Sequence, residues 1–178
     1  MPFLRSVLFI PQVRKIGPES PRRPREIRRP GRVGLSFAMM RQSTTTLAFD
    51  TRGRGLVEIT RPVAEWTAAT DMADGLLTLF VRHTSASLIV QENADPDVRG
   101  DLERFLARLV PDGDSLFRHR DEGADDMPAH VRAALTAVQL SIPFSGGRLA
   151  LGTWQGIYLW EHRIRPHRRE VALHLMGI

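Results

Sequence analysis

The sequence predicts an α+β domain with a mostly antiparallel sheet and two main helices. Strand-like segments come in pairs separated by short turns, and two helix starts, Asp95-Pro96 and Asp126 with Pro128, fall between those pairs. No repeat with a period of about 20–50 residues is visible, which excludes a solenoid or propeller.

Each element follows from local chemistry. STTTLAF (43–49) is rich in threonine and apolar residues and reads as a strand. Gly53 and Gly55 read as a turn, with GLVEITRPV (55–63) returning as hairpin partner of the first strand. Residues 63–72 read as a short helix. GLLTLFVRHTSASLIV (75–90) is too long for one simple strand and is expected to be two, or one bent near His83, where small polar residues interrupt the apolar run. At Asp95-Pro96 the aspartate can cap free amides, and proline suits the first helical position, where its missing N–H is not needed. Val98, Leu102, Phe105, Leu106 and Leu109 then form one apolar face at helical spacing, and Pro111 ends the helix. Asp126, better placed as a cap than Asp125, opens a second helix through about Val138, with Val131, Leu135 and Val138 inward. LSIPFSGGRLALG reads as a hairpin around Gly146-Gly147, and TWQGIYLWEHR and REVALHLM close the chain as two strands.

Hydrophobic residues make up 42% of the 178, enough for one real core. The absence of cysteine excludes a disulfide scaffold and fits a reducing, cytoplasmic setting. It also restricts any transition-metal site to imidazole and carboxylate ligands. No run approaches the roughly 18 apolar residues of a membrane span. The N-terminal apolar run is broken by Pro11 and lacks a small-residue cleavage site, so it does not read as a signal peptide.

The pI of 11.0 has a local origin. Residues 1–38 hold nine Lys+Arg and two Glu, whereas residues 39–178 hold sixteen Lys+Arg and eighteen Asp+Glu. A basic leader therefore precedes a slightly acidic domain, residues 39–178. Residues 11–34 contain five of the twelve prolines and no helical or alternating period, so disorder is expected. Met39-Met40 opens the patterned region directly. A misassigned start is the first reading of the leader, a passive tail the second and a nucleic-acid arm the third. The leader lacks interleaved aromatics and no reader fold accompanies it, so nucleic acid is not the expected partner.

Three segments concentrate the unusual chemistry: RHTSASLIVQENADPD (82–97), FRHRDEGADDMPAH (117–130) and GTWQGIYLWEHR (152–163). They hold His83, His119, His130 and His162 among many carboxylates. His83, His119 and His130 are the candidate metal ligands. His130 near a helix start and His119 between two arginines suit a neutral, metal-competent ring. Three imidazoles would leave one open position on a tetrahedral zinc; magnesium is the other divalent ion considered. The same rings could instead bind an anion or move protons without metal. Glu92 and Glu122 are candidate general bases or partners orienting a ligand histidine, although Glu122 reads equally well as a solvated loop charge. Asp95 reads as a cap rather than a catalyst. Ser85 and Ser87 lie beside His83, but no G-x-S-x-G elbow surrounds them. Trp154 could stack a heteroaromatic ring, though core or interface packing is the leading reading; Gln155 offers a two-way hydrogen bond. Arg82, Arg118, Arg148 and Arg163 are candidate phosphate-holding forks. No phosphate-binding glycine loop or dinucleotide fingerprint is present, so no nucleotide cofactor is expected.

HTSASLIVQENADPDVRGDLERFLARLVP, RHRDEGADDMPAHVRAAL and GGRLALGTWQGIYLWEHR together strongly resemble the YjbQ-like family, over about residues 40–176. The resemblance implies a mostly antiparallel β-sandwich, a homotrimer, and a site lined by the three segments near a subunit boundary. It places the motif histidines on His83, His119 and His130. The acidic and polar motif positions fall on Glu92, Asn93, Asp95 and Glu122, and the tail motif on Gly152, Thr153, Trp154, Gln155 and Glu161. Glu92, Glu122 and Gln155 are carried as catalytic candidates; Asn93, Trp154 and Arg82 as substrate-binding ones. His162 follows the tail motif and is a weaker candidate. The family is often described as a secondary thiamine-phosphate synthase. This implies a small phosphorylated or heteroaromatic substrate and a transferase that releases pyrophosphate. The alternative is a trimeric metal- or ligand-binding module without turnover.

Overall fold

The computed structural model describes residues 39–178. The leader, residues 1–38, lies outside the described residues, as do the readings made of it. Eight strands and three helices follow in the order β1 (Arg41–Asp50), β2 (Gly55–Glu58), α1 (Thr60–Ala69), β3 (Gly75–Val81), β4 (Ala86–Glu92), α2 (Pro96–Leu109), α3 (Asp126–Leu135), β5 (Gln139–Ser145), β6 (Arg148–Leu149), β7 (Gln155–Glu161) and β8 (Arg168–Gly177). One sheet has the order β1-β8-β3-β5-β6 and the other β2-β7-β4. Every pairing is antiparallel.

The sheets pack face to face over Ile59, Leu77, Leu79, Leu88, Ile157, Leu159, Leu173 and Leu175, all fully buried. The alternation in β3 is that of a strand with one covered face: Leu77, Leu79 and Val81 point in, while Leu76 and Phe80 are exposed. β7 reads differently. From Gly156 to Glu161 every residue is buried, because this strand is central in its sheet and covered on both faces. Ile157 and Leu159 lie on the face that meets the five-stranded sheet. Tyr158 and Trp160 lie on the other, toward α2, where Trp160 Nε1 donates to Glu103 at 2.7 Å.

Three of the segments that carry the chain from one sheet to the other are short corners at 51–54, 82–85 and 162–167. All three lie at the same end of the sandwich, since Asp50 pairs with Arg168, Val81 with Val171, and Ala86 and Gly55 both with Glu161. This corrects the expected hairpin between the first two strands. β1 pairs with β8 along its whole length and β2 pairs with β7. The glycines at 53 and 55 make a corner between sheets instead of a turn within one. Gly53 has φ +121°, and a Cβ there would collide with the Ile164 carbonyl oxygen of another corner.

The helix starts at Asp95 and Asp126 are present, with one exchange of roles. Asp95 caps α2, its carboxylate accepting from the Asp97 amide at 2.8 Å. Asp95→Ala is expected to cost about 1 kcal/mol, read from chemical denaturation. At α3 the cap position belongs to Asp125, and Asp126 is already helical and buried. α3 also stops at Leu135, short of Val138, and it buries Pro128, Ala129, Arg132 and Ala133. Leu135 and Val138, expected inward, are exposed, as are Phe105 and Leu109 on α2. Periodicity located the apolar stripe, but α2 covers the three-stranded sheet with only part of it. The short helix expected over 63–72 is α1, beginning at Thr60.

Candidate metal-binding cleft

The three sheet-switching corners and the start of α3 meet at one end of the sandwich. A cleft of about 830 Å³ opens there, lined by Phe80, Arg82, His83, Ser85, His130 and Arg169, among others. His130 on the cleft wall clusters with His119 and Asp126 behind it, each offering one ligand atom, with all three atoms within 4.8 Å of one another. His119 Nε2 is 2.7 Å and His130 Nε2 3.6 Å from Asp126 Oδ2.

Local structure explains the convergence. Asp126 and His130 are four residues apart in α3 and so share one helix face. His130 Nδ1 lies 3.0 Å from the Thr84 carbonyl. A carbonyl only accepts, so this contact puts the proton on Nδ1 and leaves the Nε2 lone pair toward Asp126. The other carboxylate oxygen of Asp126 accepts from Arg163 Nη1, and Oδ2 faces the two imidazoles, in hydrogen-bond contact with His119 Nε2. Arg163 is itself held by Asp125 at 3.1 Å and by Glu122 at 3.2 Å. Burial alone would lower Arg163; the hydrogen bonds to Asp125 and Glu122 outweigh it and raise the guanidinium above its ordinary value. Burial likewise opposes ionisation of Asp125, but the Ile164 amide and Arg163 hold its carboxyl below the usual range.

Of the three expected metal ligands, His119 and His130 come together and His83 does not join them. His83 shares the cleft with His130, but its Nε2 accepts from the Glu170 amide at 2.8 Å. Burial, then the charge of Arg169, lowers the His83 pKa below its ordinary value. Within the chain the side chains that could hold an ion together are two histidines and one carboxylate, in place of three histidines. Arg82 lines the cleft and pairs with Glu170 at 2.9 Å. Glu122 is engaged by Arg163 through both its side chain and its carbonyl.

Glu92, Asn93, Trp154 and Gln155 lie at the opposite end of the sandwich. Glu92 is at the far end of β4 from Ala86 and pairs with Gln155. Six residues of strand separate it from the cleft end, roughly 20 Å. There Asn93 Nδ2 donates to the Gln155 carbonyl at 3.4 Å, and the Gly152 amide donates to Gln155 Oε1 at 2.8 Å. Trp154 is 65% exposed. The chain therefore keeps the expected site residues in two separate groups.

Sequence reasoning treated Asp126 as a cap and missed its convergence with His119 and His130. The signal was present: Asp126 and His130 at i and i+4 in a helix are spaced as a ligand pair. It also missed a buried network behind the cleft. Glu161 Oε1 and Oε2 accept from Arg169 at 2.5 and 2.7 Å, and Oε2 accepts from Thr51 at 2.9 Å. Arg169 reaches on to Ser85 Oγ at 3.1 Å. Burial acts to raise the Glu161 carboxyl, but its bonds to Arg169 win and hold it below the usual range. His162 is wholly buried beside this network, with Nε2 2.9 Å from Ser87 Oγ. Both serines are thus structural partners of buried charged or imidazole groups.

Comparison with known proteins agrees with this architecture. The family model described as UPF0047 protein YjbQ-like matches residues 45–178. A UPF0047 protein of Synechocystis is 52% identical over 142 residues, covering 80% of this chain and 97% of that protein. The UPF0047 protein YjbQ of Escherichia coli O157:H7 is 45% identical over 141 residues, covering 78% of this chain and 99% of its own. Among solved structures, a conserved hypothetical protein of Thermus thermophilus aligns with TM-score 0.64 at 42% identity, covering 72% of this chain and 97% of that one. A YbjQ-like protein of unknown function from Sulfolobus solfataricus shares the fold with TM-score 0.72 at 22% identity, covering 79% of this chain and 100% of that one. The chain belongs to the UPF0047 YjbQ-like family.

Proposed function

We propose that the protein is a small-molecule enzyme whose cleft binds one divalent zinc ion through His119, Asp126 and His130. The single observation that carries this reading is the convergence of three ligand atoms on a buried aspartate whose second oxygen is already occupied by Arg163. Two imidazoles and one carboxylate suit zinc better than magnesium, which prefers an all-oxygen octahedron. A bound ion would supply Lewis-acid polarisation of a substrate oxygen. The protein's own part is to orient the substrate. His83, protonated on Nδ1 because Nε2 accepts from the Glu170 amide, is a donor on the cleft wall, and Arg82 adds positive charge. Those groups suit a substrate with an anionic end, and Phe80 and Val138 offer an apolar wall for its body.

The descriptions of the relatives state no activity. Nothing in the cleft selects a pyrimidine, so thiamine phosphate formation is one reaction to assay and not the conclusion. Calorimetric titration of metal-free protein with zinc is expected to show one site per chain. Asp126→Asn and His130→Ala should each weaken it at least tenfold, while His83→Ala should leave zinc affinity within about twofold and lower turnover. Equal affinity in all variants would sink the proposal.

The second part of the proposal is a homotrimer assembled through the outer face of the five-stranded sheet. Leu76, Phe80 and Met176 are 41%, 47% and 44% exposed there. Thr44, His174, Thr78 and Ser141 form a polar row beside them. Phe80 belongs both to this face and to the cleft, so assembly would bring a neighbour to the cleft mouth. Light scattering should give three chains, and Leu76→Glu with Thr78→Glu should give monomers.

A further inference from the structure

Between α2, α3 and the three-stranded sheet, four buried polar atoms have no hydrogen-bond partner among the described residues. They are Nε and Nη1 of Arg132, Oε1 of Glu103 and Nδ1 of His162. They come from three separate segments yet share one neighbourhood. Arg54 Nε is 3.2 Å from the His162 carbonyl and 3.7 Å from Glu103 Oε1. Arg54 Nη2 and Arg132 Nη2 are 2.8 and 3.2 Å from the same Asp112 oxygen. The rings of Trp160 and His162 are 5.4 Å apart, and the Trp160 indole donates to Glu103.

We propose that Arg132, Glu103 and His162 enclose an internal hydration site, in which one or two ordered water molecules bridge α2 and α3 to the three-stranded sheet. Water fits on three counts. Arg132 is 1% exposed, and its two unpartnered nitrogens can only donate. Glu103 Oε1 can only accept, so the orphaned atoms are of both kinds. A molecule that both donates and accepts can serve both kinds at once, which a bare anion or cation cannot. The charges also balance, with Arg54 and Arg132 set against Asp112 and Glu103, so a neutral ligand fits. Buried waters typically make about three hydrogen bonds to groups of this kind.

The site has a role in positioning. Arg132 Nη2 donates to the Val110 carbonyl at 2.6 Å, tying the end of α2 to α3. His130 and Asp126 sit on the same helix as Arg132. Hydration of its inner face therefore helps fix the helix that carries them.

A crystal structure of the full chain, at a resolution that orders individual waters, tests this without a variant. The expected result is solvent density within about 2.6–3.2 Å of at least two of the four atoms. Direct pairing of Arg132 with Glu103 and no enclosed density would overturn the proposal, as would a bound ion. Oxygen-17 relaxation dispersion supplies a second reading in solution. Arg132→Met, if folded, should lose one or two long-lived waters relative to the unaltered protein, and an unchanged count would contradict the site.

Discussion

Glu161→Ala is expected to destabilise the fold by about 3–5 kcal/mol. Glu161 is fully buried, and its removal strands Arg169, which is 5% exposed in its side chain. The Thr51 hydroxyl and the Arg163 amide lose their acceptor at the same time. The pair itself contributes less than this cost suggests, because each charge had to leave water to form it. Glu161→Ala combined with Arg169→Met should therefore recover much of the loss. Urea denaturation of the two single variants and the double variant measures the coupling. Additive losses would show that the two side chains do not act as a pair.

Stability should fall in acid before the carboxylates titrate, and His162 is the main reason. Burial, with the charge of Arg132 second, pushes its pKa from 6.5 to about 3. The unfolded chain therefore binds a proton that the folded chain refuses. The contribution is complete above about pH 6.5 and is lost as pH falls toward 3, at about 1.4 kcal/mol per pH unit for one proton. His83, lowered in the same direction, adds to the slope just below pH 6.5. Glu161 and Asp125 contribute stability of the same sign at lower pH, present above their unfolded values of 4.5 and 3.8 and lost as pH falls through the folded ones. His162→Phe should flatten the profile between pH 6.5 and 5 even if its overall stability is lower. An unchanged slope in that variant would show that His162 titrates normally in the folded state.

Features fixed by neighbouring residues were legible in the sequence, and those fixed by distant partners were not. The Asp95-Pro96 start of α2 and the Gly146-Gly147 hairpin depend on a few consecutive residues, and both are present. Gly53 and Gly55 announce a sharp change of direction but not whether the next strand joins the same sheet. That choice is made by β8, more than a hundred residues later. The stripe Val98, Leu102, Phe105, Leu106 and Leu109 is real as a pattern, but only Leu106 is buried, because coverage depends on where β2 and β7 lie. The candidate site divides in the same way. Asp126 and His130 could have been paired from helical spacing alone. The engagement of Arg163 with Asp125 and Asp126 spans 38 and 37 residues, and no local pattern announces it. Glu92 and Gln155 resemble partners of the histidines in sequence order, yet β4 and β7 carry them to the far end of the sandwich.

The most direct test of the zinc reading is anomalous diffraction at the zinc edge from crystals of the full chain soaked in zinc. The expected result is one strong peak per chain about 2.0–2.2 Å from His119 Nε2, His130 Nε2 and one oxygen of Asp126, with Arg163 still on the other oxygen. A peak on other residues, or none at this site while zinc binds elsewhere on the protein, would contradict it.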